Sequence, residues 1–152
     1  MEGAMTVPID QLRQELLEYE FPPGSYTITE WQHWLTMDAI LSPPLPAGIA
    51  HPIYAYLASI GGMGITLPQL FAAARSSAEA GVMFGEATLE FSQPLAVGAT
   101  YRVEGRFLDV VRKQSSRVGT MDLVTFRLSL LTEDGTLAAT STNTFIFPRR
   151  ES

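Results

Sequence analysis

The order of apolar and polar positions divides the chain near Gly81 into a helical first part and a β-rich second part. Residues 9–18 place their apolar side chains at helical spacing, which predicts a short amphipathic helix. The order Thr27-Ile28-Thr29-Glu30 has the residue types of a capping box and predicts a second helix that runs to about Ile40. Residues 66–74 predict a further short helix.

The most apolar helix is predicted between the second helix, which ends near Ile40, and the short helix of residues 66–74. Three prolines in residues 42–48 remove backbone donors and fix φ, so this segment is predicted to be a stiff loop. A helix then starts at His51 or Pro52, since proline is tolerated at a first helical position, and continues to Ile60. It is apolar on nearly every side, which is typical of a buried central helix. The sequence Gly61-Gly62-Met63-Gly64 ends or bends it.

The second part of the chain predicts a β-meander. Apolar and polar residues alternate with period two, which indicates antiparallel strands with one buried face, in residues 86–91, 100–107, 118–131 and 137–147. Turns are predicted at residues 94–98, 112–117 and 133–135. A sheet next to one apolar helix must curve around that helix to bury it. We therefore predict an α+β architecture in a single domain, residues 1–152, with a helical N-terminal segment.

Composition and charge remove several classes of function. A chain of 152 residues with 46% hydrophobic and 17% charged residues is expected to fold as one domain. The absence of cysteine excludes a disulfide framework and a thiolate zinc site, and the two histidines suggest no metal site. The net charge of −6, with Lys113 as the only lysine, argues against nucleic-acid binding. No apolar run approaches the ~20 residues that span a bilayer, and residues 1–12 lack signal-peptide order. We expect a soluble, cytoplasmic protein.

The sequence resembles hotdog-fold MaoC-like dehydratases, and the similarity covers about residues 25–149. It is closest to the N-terminal, FAS1-like half of that family, which includes subunits that pair with a separate catalytic partner. The matching stretches are Ala47-Gly48-Ile49-Ala50-His51 before the apolar helix, the "GE … PL … G" pattern in residues 84–98, Val111-Arg112-Lys113, residues 119–126 and residues 134–144. The resemblance implies a hotdog fold, in which a curved antiparallel sheet wraps a central apolar helix.

The resemblance also implies a chemistry. Members of the family add water to, or remove it from, a 2-enoyl or 3-hydroxyacyl group carried as a thioester on coenzyme A or an acyl carrier protein. No other cofactor is implied. Family hydratases place an Asp and a His in the loop before the central helix, and backbone N–H groups at the start of that helix polarise the thioester carbonyl. A helix N-terminus suits this task because its donors are free and its dipole favours negative charge.

This sequence departs from the family pattern at the predicted dyad. Asp38 lies about where the family's Asp falls, but no histidine follows it in residues 39–43. His51 instead stands before the central helix, and Pro52 follows where relatives often have glycine. The dyad is therefore either rebuilt from Asp38 and His51 or absent. In the first case His51 is the acid or base, Asp38 assists it, and amides near Ile53 and Tyr54 hold the carbonyl.

Other candidate residues belong to the acyl pocket. Tyr54 and Tyr56 point to different faces of the central helix, and either hydroxyl could reach the acyl group if it is not satisfied in the core. Glycines at the end of the helix permit close approach of an acyl chain or a second subunit. His33, between two tryptophans, is expected to be half-exposed and inert. Arg112, Lys113 and Arg117 are expected in a solvated turn, and the alternative is that they meet the phosphates of coenzyme A or the acidic surface of a carrier protein. The predicted substrate-binding residues are Ile53, Tyr54, Tyr56, Gly61, Gly62 and Trp34.

Three functions remain open. The first is hydration or dehydration of an acyl thioester by this chain itself. The second is a catalytically silent subunit that shapes the acyl site for a partner, and the third keeps the fold for thioester hydrolysis or a natural-product cyclisation. A sheet wrapped around one helix leaves edges that are usually paired or covered. A homodimer, or a heterodimer with a second hotdog subunit, is therefore expected.

Overall fold

The computed structural model describes residues 6–149 as four α-helices, one 3₁₀ turn and a five-stranded antiparallel sheet. The strands are ordered β1-β3-β4-β5-β2 across the sheet. The helices are α1 (Ile9–Glu18), α2 (Glu30–Ala39), α3 (Tyr54–Gly62) and α4 (Leu67–Ala73), and the 3₁₀ turn is Ala78–Ala80. The strands are β1 (Gly24–Thr27), β2 (Met83–Phe91), β3 (Thr100–Ser115), β4 (Gly119–Leu131) and β5 (Leu137–Arg149).

Helix α3 is the central helix, and it packs against all five strands. Its buried positions include the small residues Ala55, Ala58 and Ser59, which let the backbone approach the sheet closely. In a strand, every second side chain points to the same face of the sheet. In β4, the side chains from Val124 to Leu130 accordingly alternate between buried and half-buried. The predicted α+β class, with a curved antiparallel sheet around an apolar helix, is confirmed.

Helix α1 closes the core beside strand β3. Leu12 and Leu16, one helical turn apart, are fully buried, and Arg13 donates to the carbonyl oxygen of Val110 at 3.0 Å. The helix has the predicted bounds because its apolar stripe faces the sheet over its whole length.

A buried ion cluster ties the segments before α1 and after α4 to the sheet. The Asp122 carboxylate is inaccessible to solvent and accepts from Arg112 Nε at 2.8 Å and from Arg149 Nε at 2.7 Å. Arg112 also donates to the carbonyl oxygen of Val7, and Arg149 donates to that of Arg75. Burial raises the pKa of Asp122, but the hydrogen bonds and charges of the two arginines outweigh burial and hold that pKa below its usual range.

This cluster corrects the prediction of a turn at residues 112–117. Arg112 lies in β3 opposite Asp122, and pairing continues to Ser115, so only the segment after Ser115 turns. Arg112 is half-buried and held by Asp122, which places it in the framework of the fold. Lys113 and Arg117 are exposed.

Two boundaries in the helical part were predicted wrongly. Thr27 ends strand β1, which the sequence did not predict, and α2 starts at Glu30 after Thr29, whose side chain makes no capping bond. A capping box does occur at α4, where Thr66 and Gln69 exchange both bonds. Helix α3 starts at Tyr54, slightly after the predicted start at His51 or Pro52.

The prediction of a buried face on β2 was also wrong. Ala87 and Phe91 are exposed, and only Leu89 is half-buried, although their period-two pattern is clear. The reason is position, because β2 is the last strand of the sheet and no strand among the described residues lies on its outer side. Phe84 and Phe91 leave about half of their surfaces in solvent.

No helix among the described residues is long and apolar enough to cross a bilayer. Within residues 6–149, no group of three or more His, Asp or Glu side chains could hold a metal ion.

Candidate functional site

The proline-rich loop delivers His51 to the start of the central helix. The end of the loop is pinned to the segment before β3, since Ala50 N donates to Leu95 O at 2.8 Å and Val97 N donates to Gly48 O at 3.0 Å. Gly48 has a φ of +79°, a conformation that favours glycine. The direction of the chain at His51 is therefore fixed by backbone contacts.

Two histidines meet at this point. The backbone N–H of His51 donates to Nε2 of His33 at 3.0 Å, and the backbone N–H of Ile53 donates to Nδ1 of His51 at 3.0 Å. A ring nitrogen that accepts a hydrogen bond carries no proton. Both imidazoles thus accept hydrogen bonds from backbone N–H groups in the turn that leads into α3.

A second contact joins helix α2 to helix α3 beside the histidines. The hydroxyls of Thr36 and Tyr54 lie 2.9 Å apart, and the His33 ring lies over the Tyr54 ring with their centroids 5.6 Å apart. Tyr54 is almost completely buried, so its hydroxyl needs this partner. His33 and Thr36 occupy the inner face of α2, and Trp31 and Trp34 lie on its outer face.

The environment of His33 predicts a loss of stability in mild acid. Burial, and then the charge of His51, lower the pKa of His33 below its ordinary value. The unfolded chain thus binds this proton more readily, and the stability that depends on neutral His33 is complete above about pH 6.5 and lost as pH falls below it. We expect thermal unfolding followed by circular dichroism to show that Tm falls as the pH is lowered below about 6.5.

The matched variant for this experiment is His33→Gln. The glutamine amide oxygen can still accept from His51 N but does not titrate, so the acid-dependent fall in Tm should be smaller than in the wild type. An unchanged pH profile in H33Q would show that His33 does not control this part of the fold.

The amides at the start of α3 are already engaged. Ile53 N donates to the His51 ring, and Tyr54 N donates to the His51 carbonyl oxygen at 3.0 Å. Ala55 N likewise donates to the carbonyl oxygen of Pro52 at 3.0 Å. The donors that the sequence assigned to a thioester carbonyl, near Ile53 and Tyr54, therefore have partners within the protein.

Two grooves flank α2. The larger, which we call the loop groove, has a volume of about 800 Å³ and lies between α2 and the proline-rich loop. Its lining includes His33, Trp34, Met37, Asp38 and Leu41. The smaller, the tyrosine groove, has a volume of about 370 Å³ and lies between α2 and α3; its lining includes Tyr26, Trp31, Leu35, Tyr54 and Gly61.

The tyrosine groove is mainly apolar, with hydroxyl groups at its wall. Burial, and then the neighbouring Tyr54, raise the pKa of Tyr26, so this phenol remains protonated at neutral pH. A protonated phenol can donate a hydrogen bond.

The predicted dyad is not assembled in this structure. Asp38 is exposed near the end of α2 and lines the loop groove, and no hydrogen bond joins it to His51 among the described residues. His51 instead contacts His33, which the sequence marked as inert. The helical spacing of residues 33, 36 and 37 was the available signal, because it places them together on one face of α2.

The remaining predicted residues are spread over different surroundings. Trp34 lines the loop groove, whereas Tyr54 and Gly61 line the tyrosine groove. Tyr56 packs edge-on against Phe84 of β2, with ring centroids 5.8 Å apart. Gly62 is buried against β1, so the close approach predicted at this glycine is made by the chain's own strand.

This arrangement of a five-stranded antiparallel sheet around one central helix is the hotdog fold. Similar solved structures are a ChsH1-ChsH2 complex and a C-terminally truncated HadBC (3R)-hydroxyacyl-ACP dehydratase complex, both from Mycobacterium tuberculosis. The first matches with a TM-score of 0.67 at 15% identity over 94% of this chain and 90% of that chain. The second matches with a TM-score of 0.61 at 15% identity over 84% of this chain and 93% of that chain.

A MaoC-like dehydratase from Phytophthora capsici also matches, with a TM-score of 0.64 at 13% identity over 91% of this chain and 50% of that chain. No protein-family model and no curated protein matches the sequence. The resemblance to hotdog MaoC-like dehydratases is thus confirmed at the level of the fold.

Proposed function

We propose that this chain is the non-catalytic, acyl-thioester-binding subunit of a two-chain hotdog dehydratase or hydratase. The proposal rests on the hydrogen bonds at the start of α3. Both histidines and the first amides of this helix bind to each other or to other groups of the same chain. The thioester carrier is coenzyme A or an acyl carrier protein, and no further cofactor is needed.

The engaged groups argue against catalysis by this chain alone. Acid–base catalysis requires a group oriented toward the substrate proton, and His51 uses Nδ1 for Ile53 N, with no carboxylate of residues 6–149 bound to its ring. Stabilising an enolate oxygen requires donors that point to it, and the amides of Ile53 and Tyr54 already point to protein acceptors. We infer that a partner chain supplies the dyad.

The loop groove supports the assignment of an acyl group as ligand. Its volume of about 800 Å³ falls within the range of sites that bind small molecules. Exposed apolar side chains in its wall, Trp34 and Leu41, would lose water contact when an acyl group binds. Three prolines keep the loop stiff, so that little ordering is required on binding.

Two observations favour a partner chain of the same fold. Strand β2 is a largely exposed edge strand with apolar side chains, and no strand within residues 6–149 pairs with its outer side. Two similar structures, ChsH1-ChsH2 and HadBC, are complexes of unlike chains.

The experiment is a binding and turnover assay on the purified chain with short-, medium- and long-chain 2-enoyl-CoA thioesters. We expect binding by isothermal titration calorimetry and no hydration by the chain alone. Trp34→Ala should weaken binding about tenfold, because it removes the aromatic wall of the loop groove. Trp31→Ala is the matched control, since Trp31 is 63% exposed and Trp34 66% exposed, but Trp31 lines the other groove.

Hydration by the wild-type chain alone, lost in a folded His51→Ala variant, would replace the proposal with catalysis by this chain. Equal losses of affinity in W31A and W34A, or no binding at all, would remove the loop groove as the acyl site.

A further inference from the structure

The outer side of strand β2 is a free edge of the sheet. β2 pairs with β5 on one side, and no strand of the described chain pairs with its other side. The opposite edge consists of the four-residue strand β1 and, beyond Val103, of β3, which helix α1 contacts. A free edge presents a row of unpaired backbone donors and acceptors that can pair with another chain.

The side chains of β2 divide into an apolar and an acidic set. Ala87, Leu89 and Phe91 lie on the core face of the sheet, because their β5 partners are paired in turn with the core residues Phe126, Leu128 and Leu130 of β4. The opposite face carries Glu86, Thr88 and Glu90, which pair with Thr144, Thr142 and Thr140. No lysine or arginine occurs in Met83–Phe91.

We propose that β2 selects a partner by charge: it pairs with the edge strand of a different hotdog chain that carries Lys or Arg opposite Glu86 and Glu90, and it rejects a second copy of itself. The identity of the partner as a hotdog chain rests on the proposed function. The charge rule rests on the residues of β2.

The geometry of self-pairing explains the rejection. Two copies that join edge to edge in one antiparallel sheet are related by a two-fold axis perpendicular to the sheet, so each residue faces one on the same face. With that axis at Thr88, Glu86 faces Glu90 of the second copy, and the reverse pair is also formed. An axis at Glu86 or Glu90 places identical glutamates opposite each other.

The remaining registers also bring like charges together. With the axis at position 87 or 89, one glutamate lies diagonally across from its own copy. Opposite residues have Cβ atoms about 4.5–5.5 Å apart, where like charges destabilise a strand pair, and diagonal residues, about 7–8 Å apart, remain within reach of side chains as long as glutamate. Every register centred on residues 86–90 therefore carries this repulsion, and a net charge of −6 on each copy adds to it.

A basic partner strand would remove the repulsion and use the same apolar surface. Lys or Arg opposite Glu86 and Glu90 forms cross-strand ion pairs on the polar face. On the other face, Phe84 and Phe91, each about half exposed, would be covered by the partner. The Phe84 ring already contacts Tyr56 of α3, so this surface continues from the edge strand to the central helix.

The test uses the chain itself as its complement. The variant E86K/E90K supplies the basic edge, and sedimentation equilibrium is measured on wild type, on the variant and on their equimolar mixture. We expect the mixture to form a dimer with a Kd at least about tenfold lower than that of either protein alone. The dimer should weaken at high salt because the paired charges are exposed.

The matched control is E18K/E133K, which makes the same change in net charge at two exposed glutamates outside β2. Its mixture with wild type should not gain affinity. Hydrogen exchange on the first mixture should show new protection of the β2 amides. A wild-type homodimer as tight as the mixed dimer, a mixture that does not associate, or equal gains in both mixtures would overturn the inference.

Failure of this inference is distinguishable from failure of the proposed function. Thioester binding by the wild-type chain depends on the loop groove and is measured separately. If the chain binds thioesters while the E86K/E90K mixture stays monomeric, only the charge rule of β2 is lost.

Discussion

Replacing Asp122 with alanine is expected to lower the free energy of unfolding by about 3–5 kcal/mol, because removing one member of a buried ion cluster leaves its partners uncompensated. Arg149 is only 9% exposed, and both it and Arg112 direct their guanidinium groups at the missing carboxylate. The loss also reaches two other parts of the chain, since the same arginines hold the carbonyl oxygens of Val7 and Arg75. Urea unfolding followed by circular dichroism measures the change.

The control for this substitution is Asp10→Ala. Asp10 also bonds an arginine, Arg13, at 2.9 Å, but its side chain is 91% exposed. Exposed ion pairs contribute about 0–1 kcal/mol, so D10A should unfold close to the wild type. If D122A and D10A unfold at similar urea concentrations, the cluster does not hold the fold together.

The depressed pKa of Asp122 sets the direction of an acid effect. The unfolded carboxyl takes up a proton near its ordinary pKa, about 3.9, whereas the folded one does so only at lower pH. The stabilisation is therefore present above about pH 3.9 and is lost as pH falls through the folded pKa. Acid unfolding of the wild type should show this loss, which D122A cannot.

Local patterns predicted the elements whose burial is set by nearby residues. Helix α1 has its predicted bounds because Leu12 and Leu16 define a stripe within one segment. β4 follows its alternation, whereas β5 is buried at most positions of both faces, although both strands lie inside the sheet with a strand on either side. β2 has an equally clear alternation and lies in the open, since a period reports which residues share a face and not what covers that face.

The parts that the sequence did not predict depend on contacts between distant segments. Strand β1 has four residues without a pattern, and it exists because Gly24–Thr27 pairs with residues 100–103. His51 was correctly singled out as the residue at the start of the central helix. Its partner His33 is 18 positions away in the sequence. The path of the proline-rich loop brings the two residues together, and the spacing of neighbouring residues does not predict that path.

A second large effect is expected where α3 crosses β1. Gly24→Ala should lower the free energy of unfolding by about 3 kcal/mol, in the upper range for overpacking a close contact. A Cβ at Gly24 would overlap the carbonyl oxygen of Gly62 and lie 2.8 Å from Gly64 N. Both are backbone atoms, so relief requires α3 and β1 to move apart.

Gly61→Ala is the matched control, because Gly61 lies beside Gly62 in the same helix. The atoms nearest to a Cβ there belong to the Tyr26 ring, the first at 2.9 Å, and this side chain can rotate. Alanine also gains up to about 1 kcal/mol over glycine within a helix, so G61A should unfold within about 1 kcal/mol of the wild type. Urea unfolding of both variants measures the contrast, and equal stabilities would contradict a close crossing at Gly24.

The crossing also connects the fold to the two grooves. Gly61 and Tyr26 line the tyrosine groove, whereas the loop groove lies on the other side of α2. Rotation of the Tyr26 ring in G61A should therefore leave thioester binding in the loop groove unchanged. Displacement of α3 in G24A would carry His51 and its bond to His33 with it, so any folded G24A should bind thioesters more weakly than G61A.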